Sequence, residues 1–117
     1  MNKNTITARA TEFSFDAGIT FETQNELQAF IALFPKSVKV YATLCTTVAG
    51  ITLPYASFSV SLGSDEVNQG TNETGIKRIR KFVALAVANG YNIFRNDAYN
   101  NSLTQEDFDN LVGKVGA

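Results

Sequence analysis

Residues 23–44 read TQNELQAFIALFPKSVKVYATL, and a change of period inside them decides the fold. Thr23 with Glu26 three residues on is a capping box, the reciprocal pairing that starts helices. Behind it Leu27, Phe30, Ile31 and Phe34 fall at i, i+3, i+4 and i+7, one apolar helical stripe. Pro35 stops that helix. The period then drops to two: Val38, Val40, Ala42 and Leu44 alternate with Lys39, Tyr41 and Thr43, the pattern of a half-buried strand.

On the N-terminal side, Ile6, Ala8 and Ala10 alternate before the phase shifts to Phe13 and Phe15, a slip that predicts a bulge or bend near Thr11-Glu12. Asp16-Ala17-Gly18 is a turn signal and Ile19 to Glu22 restores alternation, so residues 11–22 read as a hairpin. On the C-terminal side the chain can turn at Ala49-Gly50. A second strand runs from Tyr55 to Leu62, with Phe58, Val60 and Leu62 on one face and Ser57, Ser59 and Ser61 on the other. Pro54 confines regular pairing to the residues after it, or marks an edge or bulge. A polar, glycine-marked loop from Gly63 to Gly75 leads into a helix over about 76–89, closed by Asn89-Gly90. Tyr91 to Phe94 is a short strand. Thr104 caps a last short helix, with Leu103 placed to staple against Phe108.

Without its ends, the order is strand, helix, strand, strand, helix, strand. The expected class is therefore α+β, a ferredoxin-like split βαβ order with an N-terminal strand or hairpin extension and a short C-terminal helix. Right-handed crossovers would put both long helices on one face of a four-stranded antiparallel sheet, leaving the other face open. The alternative is another α+β sandwich in which the first hairpin pairs differently. No repeat, low-complexity tract or linker divides residues 1–117, which read as a single domain.

Composition excludes several chemistries. The 117 residues are 44% hydrophobic, with nine Phe and four Tyr, enough for a core that stands by itself. Ten basic and eleven acidic residues give a net charge of −1, which argues against nucleic-acid or membrane-surface binding driven by bulk charge. Without histidine the chain cannot form a Ser-His or Cys-His couple or ligate a metal through imidazole. Cys45 is alone, so it makes no intrachain disulfide, and it reads as a buried or half-buried small residue. No signal peptide or membrane span is read, and the expected location is cytoplasmic, or virion-associated if the chain is phage-encoded. The absence of His and Trp beside abundant Thr and Asn suggests such a source by composition alone.

Two contact surfaces are expected. The first is the basic helix start, Lys77, Arg78, Arg80 and Lys81, with Ile79, Phe82, Val83 and Ala86 buried behind it. Four cations near a helix N-terminus do not help the helix, and they fit an external anion such as a phosphate, a nucleotide or a carboxylate patch. Thr71 to Gly75 lacks the Gly-Lys-Ser/Thr ending of a phosphate loop. The second is the serine face, Ser57, Ser59 and Ser61, read as a platform for a partner or for self-association. Single-stranded RNA readers of this topology carry aromatic residues at such positions, which argues against that use. Glu106, Asp107 and Asp109 are explained by the start of the last helix, and Asn72-Glu73-Thr74 and Asn100-Asn101-Ser102 are chance matches to glycosylation acceptors. Tyr91, Phe94, Arg95 and Tyr99 could form an aromatic and cationic contact cluster, although strand-end packing explains most of it.

The functional expectation is a non-enzymatic interaction module without a cofactor: a small subunit of an assembly, or an inhibitor docking on a larger protein. Its partner would be another protein or copies of itself. The alternative is a small-ligand binder that holds a phosphate-bearing molecule between the 63–75 loop and the basic helix start.

Overall fold

The alternation of Ile6, Ala8 and Ala10 is realised as a strand, and all three side chains are buried. The computed structural model describes residues 4–62, 73–97 and 101–113. Its elements are β1 (Thr5–Ala10), β2 (Ser14–Thr20), α1 (Gln24–Ile31), a 3-10 turn at Lys36–Val38, β3 (Tyr41–Thr46), β4 (Thr52–Ser61), α2 (Glu73–Ala88), β5 (Asn92–Arg95) and α3 (Gln105–Val112). Most of the Gly63 to Gly75 loop, Asn72, Tyr99 and Asn100 lie outside the described residues.

The protein is a small α+β domain with a five-stranded mixed sheet in the order β3-β4-β2-β1-β5. That corrects the expected four-stranded antiparallel sheet, in which β5 would lie beside β2. Instead β1 stands between them, antiparallel to β2 and parallel to β5. The cause is local. Only residues 11–13 separate β1 from β2, so the two close as a hairpin and occupy that edge of β2 before β5 exists. The alternative in which the first hairpin pairs differently is nearer to this sheet.

The turn also moves. Asp16-Ala17-Gly18 is not a turn but the middle of β2, registered with Arg9, Ala8 and Thr7. The chain reverses at the phase slip, where the Thr11 hydroxyl accepts from the backbone N–H of Phe13 (3.1 Å) and Ser14 (3.2 Å). In α1 the capping box forms as expected: Glu26 N–H donates to the Thr23 hydroxyl at 3.2 Å, and Thr23 N–H donates to the Glu26 carboxylate at 3.1 Å. β3 begins at Tyr41 rather than Val38, because Val38 closes the 3-10 turn and Lys39 adopts a left-handed φ of 65°.

All three helices cover one face of the sheet, and phenylalanines join the layers. Phe58 of β4 stacks on Phe82 of α2 with ring centres 4.2 Å apart and planes 2° from parallel. Phe34 stacks on Phe82 from the other side at 5.1 Å. Phe30 meets Phe21, Phe34 and Tyr91. Phe15 of β2 stacks on Phe108 of α3 at 6.1 Å. Ile79, Phe82 and Ala86 line the buried side of α2, as their spacing implies, while Val83 is half-buried. No helix among the described residues is long and apolar enough to cross a membrane.

Candidate functional site

The basic segment of α2 is built differently from a helix-start anion site. Among the described residues the helix runs from Glu73, already three residues ahead of the expected start, so Lys77 to Lys81 stand no earlier than its second and third turns. Their charges are therefore away from the first-turn amides that would hold an anion. Arg78 turns toward the sheet: its Nη2 (3.0 Å) and Nε (3.3 Å) donate to the Val38 carbonyl, and its guanidinium lies 5.4 Å from the centre of the Phe58 ring. Arg80 reaches α3, where Nη2 donates to Asn110 O at 3.0 Å and Nε to Leu111 O at 3.3 Å. Both arginines thus hold the fold together. Lys77 and Lys81 remain on the exposed side of the helix.

The serines lie on the sheet face away from the helices. Ser57 is half-buried, and Ser59 and Ser61 are exposed. Ser59 donates to Asp16 at 2.8 Å, and Asp16 also pairs with Arg9 at 3.6 Å. The register carries one row across the whole face: Tyr41 opposite Ser57, Ser57 opposite Gly18, Gly18 opposite Thr7, and Thr7 opposite Phe94. Tyr41 and Phe94 close the two ends of that row, and both are more than half exposed. Tyr55 lies across its middle, its phenol occupying the space that a Cβ on Gly18 would need. Burial raises the pKa of Tyr55 above its ordinary value, with Cys45 and Asp16 adding to the shift. Sequence reasoning reached the serines and named Tyr55 and Phe94, but did not bring Tyr41 and Phe94 onto the serine row, because only the register tells which strands share a row.

Beside Tyr55 a groove of about 630 Å³ runs along this face, lined among others by Thr5, Thr20, Phe21, Leu53 and Glu26. Its Glu26 carboxylate is engaged by the α1 capping box. Among the described residues, no group of three or more Cys, Asp or Glu side chains is placed to hold a metal ion. Glu106 and Asp107 stand in the first turn of α3, where the Thr104 hydroxyl accepts from Asp107 N–H at 3.2 Å. Gln105 donates to the Asp109 carboxylate at 2.8 Å.

The feature that sequence reasoning missed altogether is the free edge of β3. Among the described residues this strand pairs only with β4, at the end of the sheet. A loop of residues 48–50 joins the two: Thr47 N–H donates to Ile51 O at 2.8 Å, Gly50 N–H donates to Thr47 O at 2.9 Å, and Gly50 has a φ of 83°. Antiparallel ladders alternate, so Thr47, Cys45, Thr43 and Tyr41 direct their backbone groups to β4. Ala42, Leu44 and Thr46 then present theirs outward, to the unpaired side. Pro54 inside β4 stands opposite Leu44, where no bond to β3 is due; its missing N–H falls on the β2 side at Phe21, one residue past the end of β2, and its carbonyl accepts from Phe21 N–H at 2.8 Å.

Natural sheet edges are commonly guarded by charge, proline or a bulge. The β3 edge has none of these. From Val40 to Ser64 the sequence contains no charged residue at all. Leu44 is 62% exposed, and Val48 and Ile51 at the hairpin tip are exposed as well. Compared with protein-family models, curated proteins and solved structures, the chain matches none of them.

Proposed function

We infer that the protein is a non-enzymatic interaction module, a small subunit of a larger assembly, and that it joins its partner through the β3 edge and the sheet face beside it. The observation that carries this reading is the unguarded edge. Three residues in alternation offer outward N–H and C=O groups, with uncharged side chains and an apolar hairpin tip around them. Backbone pairing with an added strand satisfies such groups and supplies affinity, while the side chains set the choice of partner. The contiguous row from Tyr41 through Ser57 to Gly18 gives the added strand a flat floor to extend.

The phosphate-binding alternative loses support in this geometry, since Arg78 and Arg80 are spent on carbonyls within the chain. Native mass spectrometry of the protein isolated from the cells that make it tests the edge reading. The expected result is a complex heavier than the single chain, released to the single chain by Leu44→Lys. A wild type that is monomeric there, or a complex that survives Leu44→Lys, overturns the reading.

A further inference from the structure

We propose that the occupant of the β3 edge is the β3 edge of a second copy of this chain, paired antiparallel about a twofold axis through Leu44, so that two five-stranded sheets become one. This rests on the reading of β3 as the contact edge and adds the partner and the register.

The outward groups are self-complementary about Leu44. With Leu44 opposite its own copy, Ala42 falls opposite Thr46, and all three outward residues meet outward residues. About six backbone hydrogen bonds form, two for each facing pair. A shift by one residue would place outward groups against groups already bonded to β4, so the alternation fixes the register to even steps. Charge favours this direction as well. Lys36 and Lys39 precede the strand, and antiparallel pairing sets each Lys39 beside the uncharged Ala49-Gly50 tip of the partner copy. Parallel pairing would set the two Lys39 side by side, where like charges repel. The exposed apolar residues are covered by the same arrangement: Leu44 meets Leu44, and Val48 comes to the end of the partner strand near Val40. An uncharged strand without a gatekeeper is matched by another of its kind.

Single-cysteine variants of the purified full chain test both the partner and the register. In L44C/C45S the two engineered thiols face each other with Cα atoms about 5.5 Å apart, within disulfide reach. In T43C/C45S they lie two residues out of register. Mild oxidation is expected to give a covalent dimer rapidly in the first variant and slowly or not at all in the second. Sedimentation velocity over a concentration series is expected to show a wild-type dimer, and a monomer for L44P, whose missing N–H points outward and costs no bond within the chain. Should L44P lose its circular dichroism, L44K supplies the same comparison.

A purified wild type that sediments as a monomer at every concentration overturns self-pairing. The edge reading then still stands if the source complex contains a different chain and is released by L44K. Equal crosslinking at positions 43 and 44 overturns the register.

Discussion

The guanidinium of Arg80 closes the C-terminal end of α3, donating to Asn110 O at 3.0 Å and to Leu111 O at 3.3 Å. That helix has no basic residue in its own last turn, so the cation that its terminal carbonyls favour comes from α2. Gly113 ends α3 at a φ of 78°, and the Arg80 stem passes 3.2 Å from where a Cβ there would stand, a tight contact. Arg80→Gln is expected to destabilise the protein by about 0.5–1.5 kcal/mol, at the low end for a charged hydrogen bond because the site is exposed. Lys81→Gln, one residue on and in solvent, should stay within about 0.5 kcal/mol of wild type. Urea denaturation of the two variants separates them, and equal midpoints would remove the capping role.

Phe30 is 1% exposed and touches Phe21, Phe34 and Tyr91. Phe30→Ala should cost about 3–5 kcal/mol, the range for emptying an aromatic core site. Because α1 is only eight residues long, its order depends on this packing rather than on helix propensity. Circular dichroism during denaturation measures the loss; a cost under about 1 kcal/mol would place Phe30 outside the core.

Gly18 and Tyr55 are a matched pair. A methyl group at position 18 meets the Tyr55 phenol and lifts the ring from its seat. Gly18→Ala is expected to destabilise by about 1–3 kcal/mol. In a Tyr55→Ala background the same change should be nearly neutral, so the double-mutant cycle should show a coupling of roughly 1 kcal/mol or more. Additive losses would mean that the two residues do not share this space.

Lys39 holds a left-handed backbone at φ 65° without the freedom of glycine. Lys39→Gly should therefore raise stability by about 0.5–1 kcal/mol, because the folded strain removed exceeds the added entropy of the unfolded chain. Thermal denaturation reads it directly, and an unchanged or lowered midpoint would contradict it.

Burial raises the pKa of Tyr55 and of Tyr91, the latter also through Glu26. Both phenols stay protonated in the folded chain at pH values where the unfolded chain has begun to release its protons. Their contribution is complete below about pH 10, the ordinary phenol value, and falls as pH rises through the raised folded values. Denaturation midpoints should decline across that alkaline range, and Tyr55→Phe should flatten the decline. An unaltered slope in Tyr55→Phe would assign the loss to other groups.

The local chemistry was legible in the residues. The Thr23–Glu26 box, the Leu27–Phe30 stripe, the Thr104 cap and the half-buried Cys45 all stand where spacing and residue type put them. Choices of partner were not. Asp16-Ala17-Gly18 has the composition of a turn, yet Asp16 is there for Arg9 and Ser59, and Gly18 for Tyr55. Each of these contacts joins different strands. Arg78 and Arg80 look like any solvated helix face until Val38 and Asn110, at least 30 residues away along the chain, arrive beside them. The β3 edge was hidden for a similar reason: a strand's alternation is the same whether it has one neighbour or two.

Placing β1 between β2 and β5 sets an order of assembly. The β1–β2 and β3–β4 hairpins each close over a short stretch of chain, but the parallel pairing of Thr5 with Asn92 joins residues from nearly opposite ends. Loop-closure entropy makes such distant pairings the slow ones. On the ribosome, β1 is the outer edge of the sheet until Arg95 has emerged; the finished sheet then exchanges that six-residue edge for the shorter, four-residue β5. A chain that stalls or is cleaved before Asn92 keeps the longer β1 edge together with the β3 edge, so truncated products should aggregate more readily than the finished protein.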